Sequence, residues 1–233
     1  MSSWQVLDEQ AHALTIEYFF GPKSTARAFA VRFANDELAI LSPPVGLDAA
    51  AHEQLKDHGR VTALVAPNGM HWLGVAPAIE VFPEAKVYAP SAAIKRIQKR
   101  QPAIEFRPLS ELSTQAEAGI GILDVPGFSI GETWAVVDTA HGPIWYVSDS
   151  CLNVSKLPSA LPVKLFMKWT KSGPGLCFNG MSNLLFLKDK PGYKRWFQQQ
   201  LEQPPRTLVP AHGDVVSGAH LAEELGRLLE LRL

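Results

Sequence analysis

Only two cysteines, Cys151 and Cys177, occur in 233 residues. That is too few for a disulfide framework, and they are not spaced as a zinc ribbon or a Cys-x-x-Cys redox pair. An excess of one charge is also missing, since 22 Lys plus Arg stand against 23 Asp plus Glu for a net charge of -1. No global field therefore draws the chain to nucleic acid or to anionic lipid. No run approaches the ~20 apolar residues that a membrane helix needs, and the opening "MSSWQVLDEQ" has acidic residues where a signal peptide has basic ones. There is no G-x-S-x-G elbow, Walker loop or dinucleotide fingerprint, no internal repeat and no low-complexity tract. These absences set the expectation of a cytoplasmic protein with no nucleic-acid and no membrane partner.

What is present is a chain with 46% hydrophobic and 19% charged residues, enough to bury a full core, and it is expected to form one domain over residues 1–233. "LTIEYFF", "AFAVRF" and "LAILSP" read as strands joined by "GPKSTA" and "ANDE", an antiparallel opening. "GLDAAAHEQLKDHG" follows as a helix with Asp48 as cap and Gly59 as stop. "VTALV" reads as a buried strand, His71 to Val81 as a helix with Pro77 in its first turn or at a kink, "AKVYAP" as a strand, and "SAAIKRIQKR" as a helix with a basic face. After a loop through "RPLSEL", the runs "GIGILDV", "TWAVVDT" and "PIWYVS" form a second strand set. Cys151 to Gly180 has no steady period and reads as a long functional loop, either a lid or a surface packed against a second subunit in a homodimer. "PGYKRWFQQQLEQ" is a helix, "RTLVPAHGD" a strand and turn, and the C-terminal helix carries Leu221, Leu225, Leu228 and Leu229 on one side. Two sheets packed together with helices on both outer faces fit this order.

Among seven histidines, two follow a buried strand directly: His71 in "VAPNGMH" and His212 in "TLVPAHGD". Asp149 ends the apolar run "GPIWYVSDS" in the same kind of position. If the three strand ends face one way, two imidazoles and a carboxylate converge, a ligand set suited to Zn²⁺ or to Mn²⁺ or Fe²⁺ with open positions for water and substrate. Each member alone equally suits a turn or a cap; bland explanations would have to coincide three times. Cys151, two residues past Asp149, is a further candidate ligand or nucleophile, or else a small buried hydrophobe. His12, His52, His58, His141 and His220 fall on polar segments, surface helices or turns.

In order and spacing these residues resemble the metallo-β-lactamase fold superfamily, and in particular an uncharacterised branch of it. The resemblance implies an α+β, four-layer αββα sandwich with two mixed sheets covered by helices. It sets "APNGMH" at the place of the His-x-His-x-Asp-His motif, "VPGFSIG" at the middle histidine turn, "VSDS" at the bridging aspartate and "VPAHG" at the last histidine. Ala66 and Asn68 then occupy the places of the first two histidines, Met70 that of the motif aspartate and Phe128 that of the middle histidine, which empties the first metal site. His71, Asp149 and His212 keep three of the four ligands of the second. The implied function is a mononuclear metal-dependent hydrolase of a small ester, lactone or phosphoester, with Asn68 and Asp149 as catalytic candidates. One divalent ion would serve it, zinc first and manganese or iron next. The alternative is an inactive member that holds no metal and serves as a binding module.

Overall fold

The computed structural model describes residues 3–22, 24–157 and 159–233. Lys23 of the expected "GPKSTA" connection, Pro158 of the 151–180 segment, and Met1 and Ser2 lie outside the described residues.

Two-residue alternation builds the first sheet. Phe29, Val31 and Phe33 point to one face of their strand while Ala28 and Ala30 point to the other, as successive side chains of a strand must. The sheet contains β1 (Gln5–Asp8), β2 (Ala13–Gly21), β3 (Ser24–Ala34), β4 (Glu37–Leu41), β5 (Arg60–Val65), β6 (Lys86–Ala89) and β7 (Phe106–Pro108), in that spatial order. Strands β1 to β4 are antiparallel neighbours and β4 to β7 are parallel. The parallel part needs crossovers, supplied by α1 (Ala49–Lys56), α2 (Val75–Val81) and α3 (Ser91–Gln98). Asp48 caps α1 by accepting from the Ala51 N–H, and Gly59 leaves it at φ +143°, where a Cβ would meet the Asp36 carbonyl.

Past α4 (Leu109–Ser113) come β8 (Ile120–Asp124), β9 (Thr133–Val137), β10 (Ile144–Tyr146), β11 (Cys151–Val154), α5 (Leu161–Trp169), β12 (Gly175–Phe178), α6 (Gly180–Leu185), α7 (Lys190–Gln200), β13 (Thr207–Val209), β14 (His212–Gly213), β15 (Val216–Ser217) and α8 (Leu221–Arg232). A second sheet has the order β15-β13-β10-β9-β8, with β10 and β13 parallel. Phe29, Leu41, Val65 and Tyr88 of the first sheet pack against Ile122, Val137, Ile144 and Tyr146 of the second. Outside the first sheet, Leu55, Val75 and Ile97 of α1 to α3 close a second core. Outside the second, Tyr193 and Phe197 of α7 and Leu221, Leu225 and Leu229 of α8 cover Trp134 and Trp145. The result is the expected α+β arrangement of four layers, helix, sheet, sheet, helix.

Four details differ from expectation. "RPLSEL" is no loop: Phe106–Pro108 adds an edge strand parallel to β6, where a proline is tolerated, and Leu109 and Leu112 bury one face of α4. The 151–180 segment contains β11, α5 and β12, and a third sheet, β12-β11-β14, stands beside the two expected ones. His71 precedes its helix, which begins only at Val75 with Pro77 in the first turn. Finally, His212 lies on a short strand paired with β11. Among the described residues, no helix is long and apolar enough to cross a membrane.

Candidate metal centre

The carboxyl ends of β4, β5, β10 and β13 open on one edge of the sandwich, where ligands of α/β sheets commonly bind. Ser42 follows β4, Asn68 and His71 follow β5, Ser148 and Asp149 follow β10, and His212 follows β13. Thr25 and Glu132 reach the same edge from β3 and from the residue preceding β9, strands that run antiparallel to β4 and β10. The three strand ends singled out in the sequence therefore do meet: ligand atoms of His71, Asp149 and His212 lie within 4.8 Å of one another.

Local chemistry fixes each side chain. The Asn68 Oδ1 accepts from the backbone N–H groups of Met70 at 2.8 Å and His71 at 3.2 Å, an Asx-type turn that aims the imidazole. His71 Nε2 stands 3.1 Å from Asp149 Oδ2, and its Nδ1 is 2.8 Å from Ser42 Oγ, itself 2.9 Å from the Tyr18 hydroxyl. His212 Nε2 stands 3.3 Å from Asp149 Oδ1, and its Nδ1 is 2.9 Å from the Thr25 carbonyl oxygen. A carbonyl only accepts, so His212 Nδ1 carries the proton. Gly213 permits this placement: at φ +101° a Cβ there would lie 2.0 Å from the Asn153 carbonyl oxygen, breaking the β11–β14 pair.

Beneath the three ligands lies a second tier. The fully buried Asn68 amide donates to Asp149 Oδ2 at 2.9 Å and to Glu132 Oε2 at 3.0 Å. Ser150 Oγ donates to Glu132 Oε1 at 3.0 Å and accepts from the Trp134 indole at 2.9 Å. Ser42 and Ser148 adopt left-handed backbone conformations, φ 55° and 43°, of the kind that concentrates at functional sites.

The two carboxyls are pushed apart electrostatically. Burial works to raise Asp149, but the charge of His71 and the hydrogen bonds from both histidines hold it well below the usual carboxylate range. Glu132 moves the other way, well above that range, because it is buried and faces the negative charge of Asp149. His212 is raised above an ordinary imidazole: burial opposes its charged form, and the hydrogen bond to Asp149 and that carboxylate's charge outweigh the burial. Burial lifts the Tyr18 hydroxyl to about 12.

The buried Asp149 carboxylate stands between the two imidazoles, and its Oδ1 has only a contact of imperfect geometry, His212 Nε2 at 3.3 Å; a divalent cation suits such a position. The donor set therefore fits one metal ion on His71 Nε2, Asp149 and His212 Nε2, with the Nδ1 atoms held from outside as metal-ligating histidines usually are. His212 is the open side, with 26% of its side chain exposed against 8% for His71, and Phe20 stands edge-on over its ring at 5.8 Å.

The other candidates lie elsewhere. Cys151 is fully buried in one cluster with Phe178, Tyr193 and Trp134, burial raises its thiol well above normal, and it stands outside the group formed by His71, Asp149 and His212. Ala66 is buried in the core under α2 and α3, Phe128 packs on Tyr193 at 5.2 Å, and Met70 is exposed. His12 meets His58 at 3.1 Å, His52 sits on Phe82, and His141 and His220 are exposed. Sequence reading missed Glu132, Ser42, Tyr18 and Thr25. Only Glu132 carried a signal, as a lone charge inside the apolar run "FSIGETWAVV".

No family model matches the chain, and no curated protein matches it in sequence. Solved structures match it over nearly its whole length. The chemotaxis sensor ODP, described as a peroxy diiron species, gives a TM-score of 0.61 at 13% identity, covering 97% of this chain and 94% of that one. A diflavin flavoprotein fragment from Nostoc sp. gives 0.59 at 11%, covering 100% and 97%. A metallo-β-lactamase from Erythrobacter litoralis gives 0.57 at 12%, covering 99% and 92%. What is shared at such identities is the fold, and this chain has the metallo-β-lactamase fold.

Proposed function

We propose that this chain is a hydrolase of a small ester, lactone or phosphoester that works with one divalent metal ion held by His71, Asp149 and His212. The observation that carries the reading is the buried Asp149 carboxylate, set between two imidazoles whose outer nitrogens are already committed, with its Oδ1 held only by a contact of imperfect geometry to His212. Two imidazoles and one carboxylate favour zinc, with manganese or iron next. Compared structures of the same fold include both lactamases and diiron proteins.

A bound ion would supply a water of lowered pKa and would polarise a carbonyl or phosphoryl oxygen. The chain does the rest. Thr25 and Ser42 fix the two rings, and Asn68 holds the Asp149 carboxylate in place from below, which makes it a positioning residue. Glu132, whose acid form is favoured by burial and by the charge of Asp149, disfavours a second negative charge under the ligands. Substrate enters past His212, the most exposed of the three, beside Phe20, whose ring limits the water reaching that side.

Metal content decides the first half of this reading. Protein purified without chelator and reconstituted with zinc is expected to hold one equivalent, lost in His71→Ala and His212→Ala while circular dichroism is unchanged. Hydrolysis of nitrophenyl esters, lactones and nitrophenyl phosphodiesters, compared between loaded and stripped protein, decides the second half. No bound metal after reconstitution overturns the proposal and leaves a hydrogen-bonded cluster in a binding module, a reading favoured by the contacts of 2.9, 3.1 and 3.3 Å that Asp149 makes within the chain.

A further inference from the structure

From Ser150 to Lys188 the chain has five lysines, Lys156, Lys164, Lys168, Lys171 and Lys188, and no acidic residue. The net charge of -1 conceals this segregation, because the remainder of the chain carries the compensating negative excess. The same segment is apolar on its surface. Among the described residues twelve large hydrophobic side chains are exposed, and seven of them fall between Leu161 and Leu185: Leu161, Val163, Leu165, Trp169, Met181, Leu184 and Leu185. Scattered exposure of that kind is normal; concentration on one face marks an interaction surface.

Helix α5 shows how the face is built. It buries no residue. Phe166, Met167 and Thr170 are its half-covered side, and the opposite side, at the i, i+4, i+8 spacing of one helical stripe, carries Leu161, Leu165 and Trp169, exposed by 64%, 57% and 69%. Lys164 and Lys168 flank that stripe. Normal amphipathic packing is thus inverted, with the apolar stripe turned outward. Trp169 and Leu184 of α6 line one cleft together with Thr170, Asn183, Lys190 and Arg232, so the α5 stripe meets exposed apolar surface of α6 at its Trp169 end, with cations beside it. The acid that follows the segment, Asp189, is occupied in capping α7 through the Gly192 N–H at 2.9 Å.

We infer that the α5–α6 face docks on the surface of an anionic lipid bilayer. Nine residues span only about 14 Å, far short of a bilayer core, so α5 lies in the plane of the interface. Leu161, Leu165 and Trp169 enter the boundary between headgroups and acyl chains, where an indole is favoured. The lysines reach back to lipid phosphate and carboxylate with their stems along the apolar stripe. A second copy is the poorer occupant, because a two-fold interface would set Lys164 and Lys168 against the same lysines of the other copy. An acidic peptide fits less well too, since large side chains standing out from a helix suit insertion better than they form a groove. This places a membrane partner where net charge alone predicts none, and it makes α5, within the 151–180 segment, a lipid-facing element in place of a lid or a subunit contact. The inference is independent of whether the metal centre is catalytic.

Flotation of the full chain with vesicles tests it. Binding is expected to phosphatidylcholine vesicles carrying about 30% phosphatidylserine and not to pure phosphatidylcholine, and to fall steeply between about 0.1 M and 0.5 M salt as the Debye length shrinks. Lys164→Gln with Lys168→Gln is expected to weaken partitioning about tenfold or more. Leu165→Asp with Trp169→Asp is expected to abolish it, with circular dichroism and metal content unchanged since both side chains are exposed. Absence of flotation, equal binding to neutral vesicles, or flotation that survives the double aspartate variant overturns the inference. A dimer in analytical ultracentrifugation that the same variant dissociates also overturns it and assigns the face to a second copy.

Discussion

Replacing Asn68 by aspartate puts an oxygen where the amide nitrogen now lies, 2.9 Å from Asp149 Oδ2 and 3.0 Å from Glu132 Oε2. The turn survives, because the other oxygen still accepts from the Met70 and His71 N–H groups. A new charge about 3 Å from Asp149 would cost about 5 kcal/mol at an effective dielectric of 20. Taking up a proton is the cheaper escape: from an ordinary value near 3.9, protonation at pH 7 costs about 4 kcal/mol, and the lost donor adds about 1–2 kcal/mol. The folded-state pKa of the new carboxyl is raised, so its penalty is absent below about pH 3.9 and grows by about 1.4 kcal/mol per unit above it, until the folded pKa is reached. Urea melts of metal-free wild type and Asn68→Asp should therefore diverge by about 3 kcal/mol near pH 5 and by about 5–6 kcal/mol near pH 7. A difference that does not change with pH, or one under about 1 kcal/mol throughout, would refute the claim that Asn68 separates two carboxyls by donating to both.

Two more outcomes follow from the same geometry. Ser42→Ala removes the group that joins Tyr18 to His71; metal affinity measured by chelator competition should fall about 10- to 100-fold, and the orphaned Tyr18 hydroxyl should cost about 1–3 kcal/mol in urea. The His212 pKa is raised in the fold, so its contribution is complete below its unfolded value of about 6.5 and is lost as pH climbs through the folded value. Metal-free protein should accordingly lose stability above about pH 6.5, a loss absent from Asp149→Asn, as melts across that range would show.

Strand periodicity made the fold legible. "AFAVRF" and "LAIL" are nearly unbroken apolar runs because both faces of β3 and β4 are buried, one under helices and one against the second sheet. Edge pieces were not legible: Phe106–Pro108 hides behind a proline that only an edge position tolerates. Helix α5 hides because Pro162 stands in its first turn and because Val163, Phe166 and Met167 blur the stripe of Leu161, Leu165 and Trp169. At the site, His71, Asp149 and His212 shared one signal, a polar residue delivered at the end of an apolar strand. Thr25 contributes a backbone carbonyl, which no side-chain pattern encodes, and Ser42 and Tyr18 are hydroxyls whose roles depend on contacts 29 and 24 residues away. Asn68, singled out as a catalytic candidate, lies fully buried and donates to the Asp149 carboxylate.

The contact between His212 and Thr25 joins residues 187 positions apart, and Arg27 reinforces it through the Gly213 carbonyl, 186 positions away. On a ribosome, nothing before the C-terminal strands can supply the last imidazole, so a nascent chain presents His71 and Asp149 without their third companion. An ion arriving early would find a two-toothed grip and leave. Loading would thereby be postponed until the outer hairpin and the late strands have met, and a metal held with full affinity would certify that the whole sandwich has closed.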